Sequence, residues 1–210
     1  MLKAEQIDKN WKKHGTIVKS FLSEDRVEKV FNMYEAFGDE LVMAPASGKK
    51  SFHNAFPGGY IDHVNRVVEY TLRQAKLWKE SGISSKFTEE QAVFCALFHD
   101  LGKLGTPGTP NYKPQTDTWR KKNLGEVYLI NPDNDFMLVQ DRSLYLLQKF
   151  SIEIDLIEYL TIKTHDGLYD ETNKPYYISY NPDSRFKTHL PQILHNADLL
   201  ATRYEQEHNK

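Results

Sequence analysis

The sequence holds a single cysteine, Cys95, in 210 residues, so no intramolecular disulfide can form and a reducing compartment is the simplest expectation. No stretch approaches the ~20 consecutive apolar residues that a membrane helix needs. The opening residues Met1-Leu2-Lys3-Ala4-Glu5 carry no apolar signal core. Together these absences predict a cytoplasmic protein without membrane association. Net charge is scarce too: 27 Lys and Arg against 29 Asp and Glu leave −2. Such a balance exerts no global pull on polynucleotide or anionic lipid, which disfavours nucleic acid as a partner while leaving room for local basic patches. Internal repeats, low-complexity tracts and a dividing linker are all missing, so residues 1–210 read as one domain.

What is present is an ordinary globular balance, 40% apolar and 27% charged, with enough length for a substantial core. The patterning is helical. Ile7 and Trp11 anchor a short surface helix over 3–14. Ser23 stands as N-cap of a helix through Val27, Val30, Phe31, Tyr34 and Phe37, and Gly38 closes it. After the turn signal Phe56-Pro57-Gly58-Gly59, a strong stripe runs from Ile61 to Trp78 and breaks at Gly82. Thr88 and Gln91 form a capping box ahead of an apolar helix from Ala92 to about Leu101. Glycines and prolines over 102–110 prevent its continuation. Residues 112–119 and 126–130 pair as a small β-hairpin, with Lys121-Lys122-Asn123 near its turn. Helical spacing returns over 136–150. A further helix starts at Ser151-Ile152-Glu153, buries Leu156, Ile157 and Leu160, and ends at His165-Asp166-Gly167. Residues 168–187 form a long polar and aromatic loop, and the last helix presents Leu190, Ile193, Leu194, Ala197, Leu200, Ala201 and Tyr204 on one face.

The chemistry concentrates at Ala92–Lys103, an apolar run ending in His99-Asp100 and followed by Leu101-Gly102-Lys103. A carboxylate at the end of an apolar helix is rarely buried without a partner. Of the eight histidines, His14, His53, His189 and His208 fall in polar or irregular stretches, whereas His63, His99, His165 and His195 sit on or at the ends of apolar-periodic segments. Four helices thus each offer a ligand near an apolar stripe: His63, His99-Asp100, His165 and Asp198. Imidazole with carboxylate suits a first-row divalent metal such as Mn²⁺, Fe²⁺, Co²⁺, Ni²⁺ or Zn²⁺, and Lys103 suits a phosphate. Plainer readings stand beside these. His63 alone would be a structural residue, Asp198 alone could pair with Arg203, and His195 could simply pack. The tyrosines of 169–180 could be loop packing, and Lys121-Lys122 a solvated pair.

Four separate pieces resemble the HD-domain metal-dependent phosphohydrolases. They are Gly58-Gly59-Tyr60-Ile61-Asp62-His63, Ala96-Leu97-Phe98-His99-Asp100-Leu101-Gly102-Lys103, Thr164-His165-Asp166-Gly167 and Ala197-Asp198-Leu199-Leu200-Ala201, spread over residues 53–205. The resemblance implies an all-α HD-domain helical bundle carrying the β-hairpin as an insertion, with residues 1–50 as a helical extension packed on it. It implies that His63, His99, Asp100 and Asp198 bind one divalent transition metal and that Asp100, Lys103 and His165 act in hydrolysis of a phosphoester by metal-activated water. Lys103, His53, His165 and Tyr169 would contact substrate. Binuclear members carry a further histidine that should fall near Met137–Ser143. None occurs there, and Glu126 and Asp141 are weak substitutes, so one metal is favoured over two. The substrate implied is a nucleotide, either a nucleoside monophosphate or a deoxynucleoside triphosphate. The loop at 168–186 and the insertion at 105–135 would supply base contacts and a lid. A phosphodiesterase or 3′–5′ nuclease of the same fold is the alternative, and a non-catalytic nucleotide-binding protein comes third.

Overall fold

The computed structural model describes residues 1–84 and 86–208. Helix α5 (Glu89–Phe98) lies at the centre. Each residue from Ala92 to Phe98 is at most 1% exposed. A helix apolar on all sides must be enclosed by others. Here α4 (Gly59–Glu80), α8 (Leu156–Lys163), α10 (Leu190–His208) and α1 (Ala4–Phe21) surround it. Helices α2 (Glu24–Phe37) and α3 (Asp39–Met43) join the same core through Val30, Met33, Tyr34, Phe37 and Leu41. Helix α7 (Val139–Lys149) closes the side next to the short 3₁₀ turn Leu101–Leu104.

The architecture is all-α, with two small antiparallel hairpins among the described residues. Strand β1 (Gly105–Thr106) pairs with β2 (Thr109–Pro110), and β3 (Tyr112–Pro114) pairs with β4 (Tyr128–Ile130), Tyr112 opposite Ile130. The second is the hairpin expected from the sequence. Its connection holds a short helix, α6 (Thr118–Asn123), whose N-terminus Asp117 caps by accepting from the Arg120 N–H. A four-residue helix, α9 (Lys174–Tyr177), interrupts the 168–187 segment.

Several local expectations are corrected. The first helix runs on to Phe21, and His14 within it is buried rather than in a polar stretch. Its Nδ1 lies 3.0 Å from Asn65 Oδ1 and its Nε2 2.8 Å from the Tyr34 hydroxyl. Burial lowers its pKa to about 4, so it is a neutral structural residue. Ser23 occupies the N-cap of α2 but its side chain makes no capping bond; its N–H donates to Glu90 instead. Helix α8 begins after Asp155, not at Ser151. The Asp155 carboxylate accepts from the Glu158 N–H and the Glu158 carboxylate from the Asp155 N–H, a reciprocal box that outcompetes a serine start. That shift turns Leu156 outward, 72% exposed. Leu200 and Tyr204 likewise sit at the solvent side of α10.

Glu158 is fully buried, and Arg26 satisfies it with two bonds of 2.7 and 2.8 Å while stacking 4.3 Å over the Phe94 ring. Truncation strands a buried carboxylate. Arg26→Ala is therefore expected to lower unfolding stability by about 3 kcal/mol, and Arg26→Met with Glu158→Leu to recover most of the loss. Urea denaturation of the two variants checks this.

Candidate metal centre

The centre forms where α5 stops. His99 caps the helix and Asp100 occupies the turn leading into Leu101–Leu104. Gly102 permits the break. A Cβ there would lie 2.1 Å from the Val139 carbonyl oxygen, and the Gly102 N–H donates to Ser143 Oγ at 2.8 Å. Ser143 in turn donates toward the carbonyl oxygens of His99 and Val139. The glycine thus lets α7 dock against the turn that carries Asp100 and Lys103. His63 comes from α4, Asp198 from α10, and His165 from the turn after α8. Gly167, at φ +57°, is the second required glycine, because any Cβ would meet the His195 ring at 2.6 Å. That closeness lets His195 Nδ1 reach the His165 carbonyl at 2.8 Å, so His195 braces the turn.

The residues singled out from the sequence converge. His63 Nε2 lies 3.2 Å from Asp198 Oδ1 and 3.5 Å from Asp100 Oδ2. His99 Nε2 is 3.4 Å from Asp100 Oδ2, and His165 Nε2 is 3.6 Å from Asp100 Oδ1. Lys103 Nζ reaches Asp100 Oδ2 at 2.6 Å. The His53 and His63 rings are 4.5 Å apart. Tyr169 stands further out, 73% exposed, at the edge of the adjoining cavity.

The outer nitrogens of the histidines are committed. His99 Nδ1 lies 2.8 Å from the Ala96 carbonyl and His165 Nδ1 2.8 Å from the Ile162 carbonyl. A carbonyl accepts only, so each Nδ1 bears a proton and each ring turns its Nε2 inward. His63 Nδ1 lies 3.1 Å from the Glu205 carboxylate, which also takes an ion pair from Arg66. Arg66 also pairs with Asp62 at 3.0 Å, and Asp62 accepts from Asn54. A carboxylate behind an imidazole is the support that metal-binding histidines use. The Nε2 atoms of His63 and His99 are buried without a hydrogen bond of acceptable angle. Buried polar atoms without a partner are costly unless a ligand meets them.

Electrostatics agree. Burial would raise the Asp100 carboxyl, but Lys103, His99 and the hydrogen bonds from His165 and His63 outweigh it and hold it well below its usual range. Asp198 is lowered despite burial, chiefly by His63. Burial lowers His63, yet Glu205, Asp100 and Asp198 together raise it well above 6.5. Burial lowers His165 as well, but Asp166 and Asp100 lift it to about 9. Burial, with Lys103 adding to it, pushes His53 well below its ordinary value and leaves it neutral.

Two ligand groups share His99. His63, His99 and Asp198 offer atoms within 4.8 Å of one another, as do His99, Asp100 and His165. Imidazole and carboxylate donors in this number fit a first-row divalent cation. The weaker candidates do not reach the centre: Glu126 pairs with Lys49 and Arg120, and Asp141 with Lys163. Glu205 and Arg66 escaped the sequence reading. The signal was present, since Glu205 lies two turns after Asp198 and four residues after Ala201, on the buried face of α10.

The centre opens on two connected cavities, one of about 300 Å³ against the metal-ligand residues and one of about 1090 Å³ beyond Lys103. Of the aromatic residues in the 168–187 loop, Tyr169 alone lines them. Tyr176 and Tyr177 instead pack on Phe186, in line with the loop-packing reading of these tyrosines. No helix among the described residues is long and apolar enough to cross a membrane. No protein-family model, no curated protein and no solved structure matches the chain.

Metal uptake requires His63 to give up the proton that its raised pKa retains. Affinity for Mn²⁺ or Ni²⁺ is therefore expected to climb as pH rises above 6.5, the ordinary imidazole value. In the metal-free protein the His165 contribution to stability is complete below 6.5 and disappears as pH rises through about 9. Glu205→Gln should weaken the metal about 10–100-fold without touching a ligand. Titration calorimetry across pH 6 to 9, on the order of the cited values, reads both effects.

Proposed function

We propose that the protein is a metal-dependent phosphohydrolase acting on a nucleotide phosphoester. The observation that supports this reading is the meeting of His63, His99, Asp100, His165 and Asp198, with the Nε2 atoms of His63 and His99 buried and unpartnered and a lysine beside them. The four-piece resemblance to HD-domain phosphohydrolases supports it further, over residues 53–205. His63, His99, Asp100 and Asp198 would hold one divalent transition metal, which when bound supplies Lewis-acid polarisation of a phosphoryl oxygen and a lowered pKa for a coordinated water.

The chain's own groups divide the remaining work. Lys103 keeps its charge, because Asp100 raises its pKa against the burial that would lower it. Its ammonium, beside Asp100 at the cavity floor, suits it to draw in a phosphate and offset the negative charge that develops in the transition state. His165 faces Asp100 with a retained proton in the metal-free state, suiting it to donate to a phosphate oxygen or leaving group. His53, neutral and beside His63, lines the entrance without adding charge. The enclosing helices exclude water from all but the cavity side, which strengthens each of these interactions.

A phosphodiesterase or nuclease would want a cationic track for the chain beyond the scissile bond. Lys49 and Arg120 at the cavity mouth are both engaged by Glu126, which favours the small-substrate reading. Purified protein supplied with Mn²⁺, Co²⁺ or Ni²⁺ is expected to release phosphate from at least one nucleotide. Asp100→Ala should reduce the rate at least about a hundredfold, more than loss of an outer-shell group, and Lys103→Ala should cut kcat/KM by about a hundredfold. Undiminished release by the Asp100 variant would sink the proposal.

A further inference from the structure

The cavity beyond Lys103 has a construction of its own. One wall is the β3–β4 hairpin, presenting Tyr112, Tyr128 and Leu129. The facing wall is the 46–53 segment, with Gly48 and Phe52. The two are fastened together. The N–H groups of Val127 and Tyr128 both donate to the Gly48 carbonyl, at 2.9 and 3.0 Å, and the Lys50 N–H donates to the Gly125 carbonyl at 2.8 Å. Gly48 fits because a Cβ would already press the Tyr128 carbonyl at 3.2 Å and the Tyr112 ring at 3.6 Å. The Tyr112 and Tyr128 rings meet edge to face, 6.3 Å between centroids, so the aromatic wall is held in place before any ligand arrives. This cavity shares His53, Lys103, Asp166, Tyr169, Thr202 and Gln206 with the smaller one at the metal ligands, so the two are continuous.

Positive charge in this space is already spoken for. Lys103 is paired with Asp100, and Lys49 and Arg120 with Glu126. Arg203 stands at the exposed outer rim, donating to Gln206. A chain of phosphates carrying about four negative charges finds little here beyond Lys103 to neutralise it, whereas a single phosphate asks for no more than that ammonium. A volume of about 1090 Å³ comfortably takes a ring system and a sugar.

We infer that the hairpin and the 46–53 segment form a base pocket that selects a nucleoside monophosphate over a triphosphate, with Phe52, Tyr112 and Tyr128 receiving the flat ring. The inference rests on the phosphohydrolase reading for the position of the phosphate, but not for the existence of the pocket. Aromatic side chains grip a nucleobase by stacking whichever base it is, so the pocket accounts for a ring and not for its identity.

The test is equilibrium binding in the presence of chelator, so that nothing is hydrolysed. The probes are the four ribonucleoside 5′-monophosphates, their triphosphates and ribose 5-phosphate. At least one monophosphate is expected to bind about tenfold or more tightly than ribose 5-phosphate and than its own triphosphate. Tyr128→Ala and Phe52→Ala should each remove most of that advantage, bringing the monophosphate to within about threefold of ribose 5-phosphate. Phe52 is 54% exposed on a loop, so its variant keeps the test available if the Tyr128 variant fails to fold. Ribose 5-phosphate or a triphosphate binding as tightly as every monophosphate overturns the inference, and so does a monophosphate advantage that survives Phe52→Ala. Ring-selective binding without phosphate release under any metal would leave the pocket standing and remove the hydrolase reading. Phosphate release without ring selectivity would do the reverse.

Discussion

Glu205 is 1% exposed, and its carboxylate is divided between His63 Nδ1 and the Arg66 guanidinium. A carboxylate so deep in an apolar bundle persists only if its charge is matched on the spot, because desolvation would otherwise cost several kcal/mol. The match ties α10 to α4, the two longest helices of the bundle and the ones that carry Asp198 and His63. The same contact sets the imidazole: with Nδ1 facing Glu205, Nε2 faces Asp198 and Asp100. Arg66 passes the constraint outward to Asp62, and Asp62 to Asn54 and Asn10. The loop that enters the cavity wall is therefore moored to the same network that orients the ligand.

The interruption of α5 is the second requirement. Had the helix continued past Phe98, the adjacent His99 and Asp100 would have stood about 100° apart on its circumference. Stopping there puts His99 at the helix cap, Asp100 in a turn and Lys103 in a tighter coil, and brings the lysine to 2.6 Å from the carboxylate. Gly102 makes the stop possible and α7 makes it permanent, through Ser143 and the Val139 carbonyl. Val139 also lines the smaller cavity. In the segment 137–143, which holds no histidine, the bundle places a backbone that supports the turn carrying Asp100.

What could be read from the sequence follows from which physics is local. The central helix, its Thr88 capping box and the His99-Asp100 break are written in adjacent residues, and the structure has them where the pattern puts them. So are the stripes of α4 and α10 that carry His63 and Asp198. His14 was misplaced because its partners, Asn65 and Tyr34, lie 51 and 20 residues away, and nothing nearby distinguishes it from a surface histidine. The start of α8 was misplaced because two candidate caps compete within five residues, and Arg26, far upstream, anchors the Glu158 that decides between them. Glu205 was missed for the same reason. The helix is rich in charge at its C-terminal end, and the spacing of Glu205 from Asp198 and Ala201 is the one local sign that it turns inward. The aromatic cavity was the least legible part, since Gly48 and Tyr128 are brought together by backbone pairing between positions 80 residues apart.

The charge balance of the centre explains why these distant contacts matter together. Asp100, Asp198 and Glu205 bring three carboxylates into a space where Lys103 and Arg66 are the permanent cations at their side. The remaining negative charge must be answered in low dielectric, and protons on His63 and His165 answer it, which is why both imidazoles are pushed up rather than down by their surroundings. A divalent cation at the ligand Nε2 atoms would answer the same charge and displace the proton on His63. The two states are thus alternatives within one electrostatic requirement. That leaves Lys103 free of the choice. Its partner Asp100 is held ionised and in turn raises the lysine, so the cavity floor keeps an ammonium.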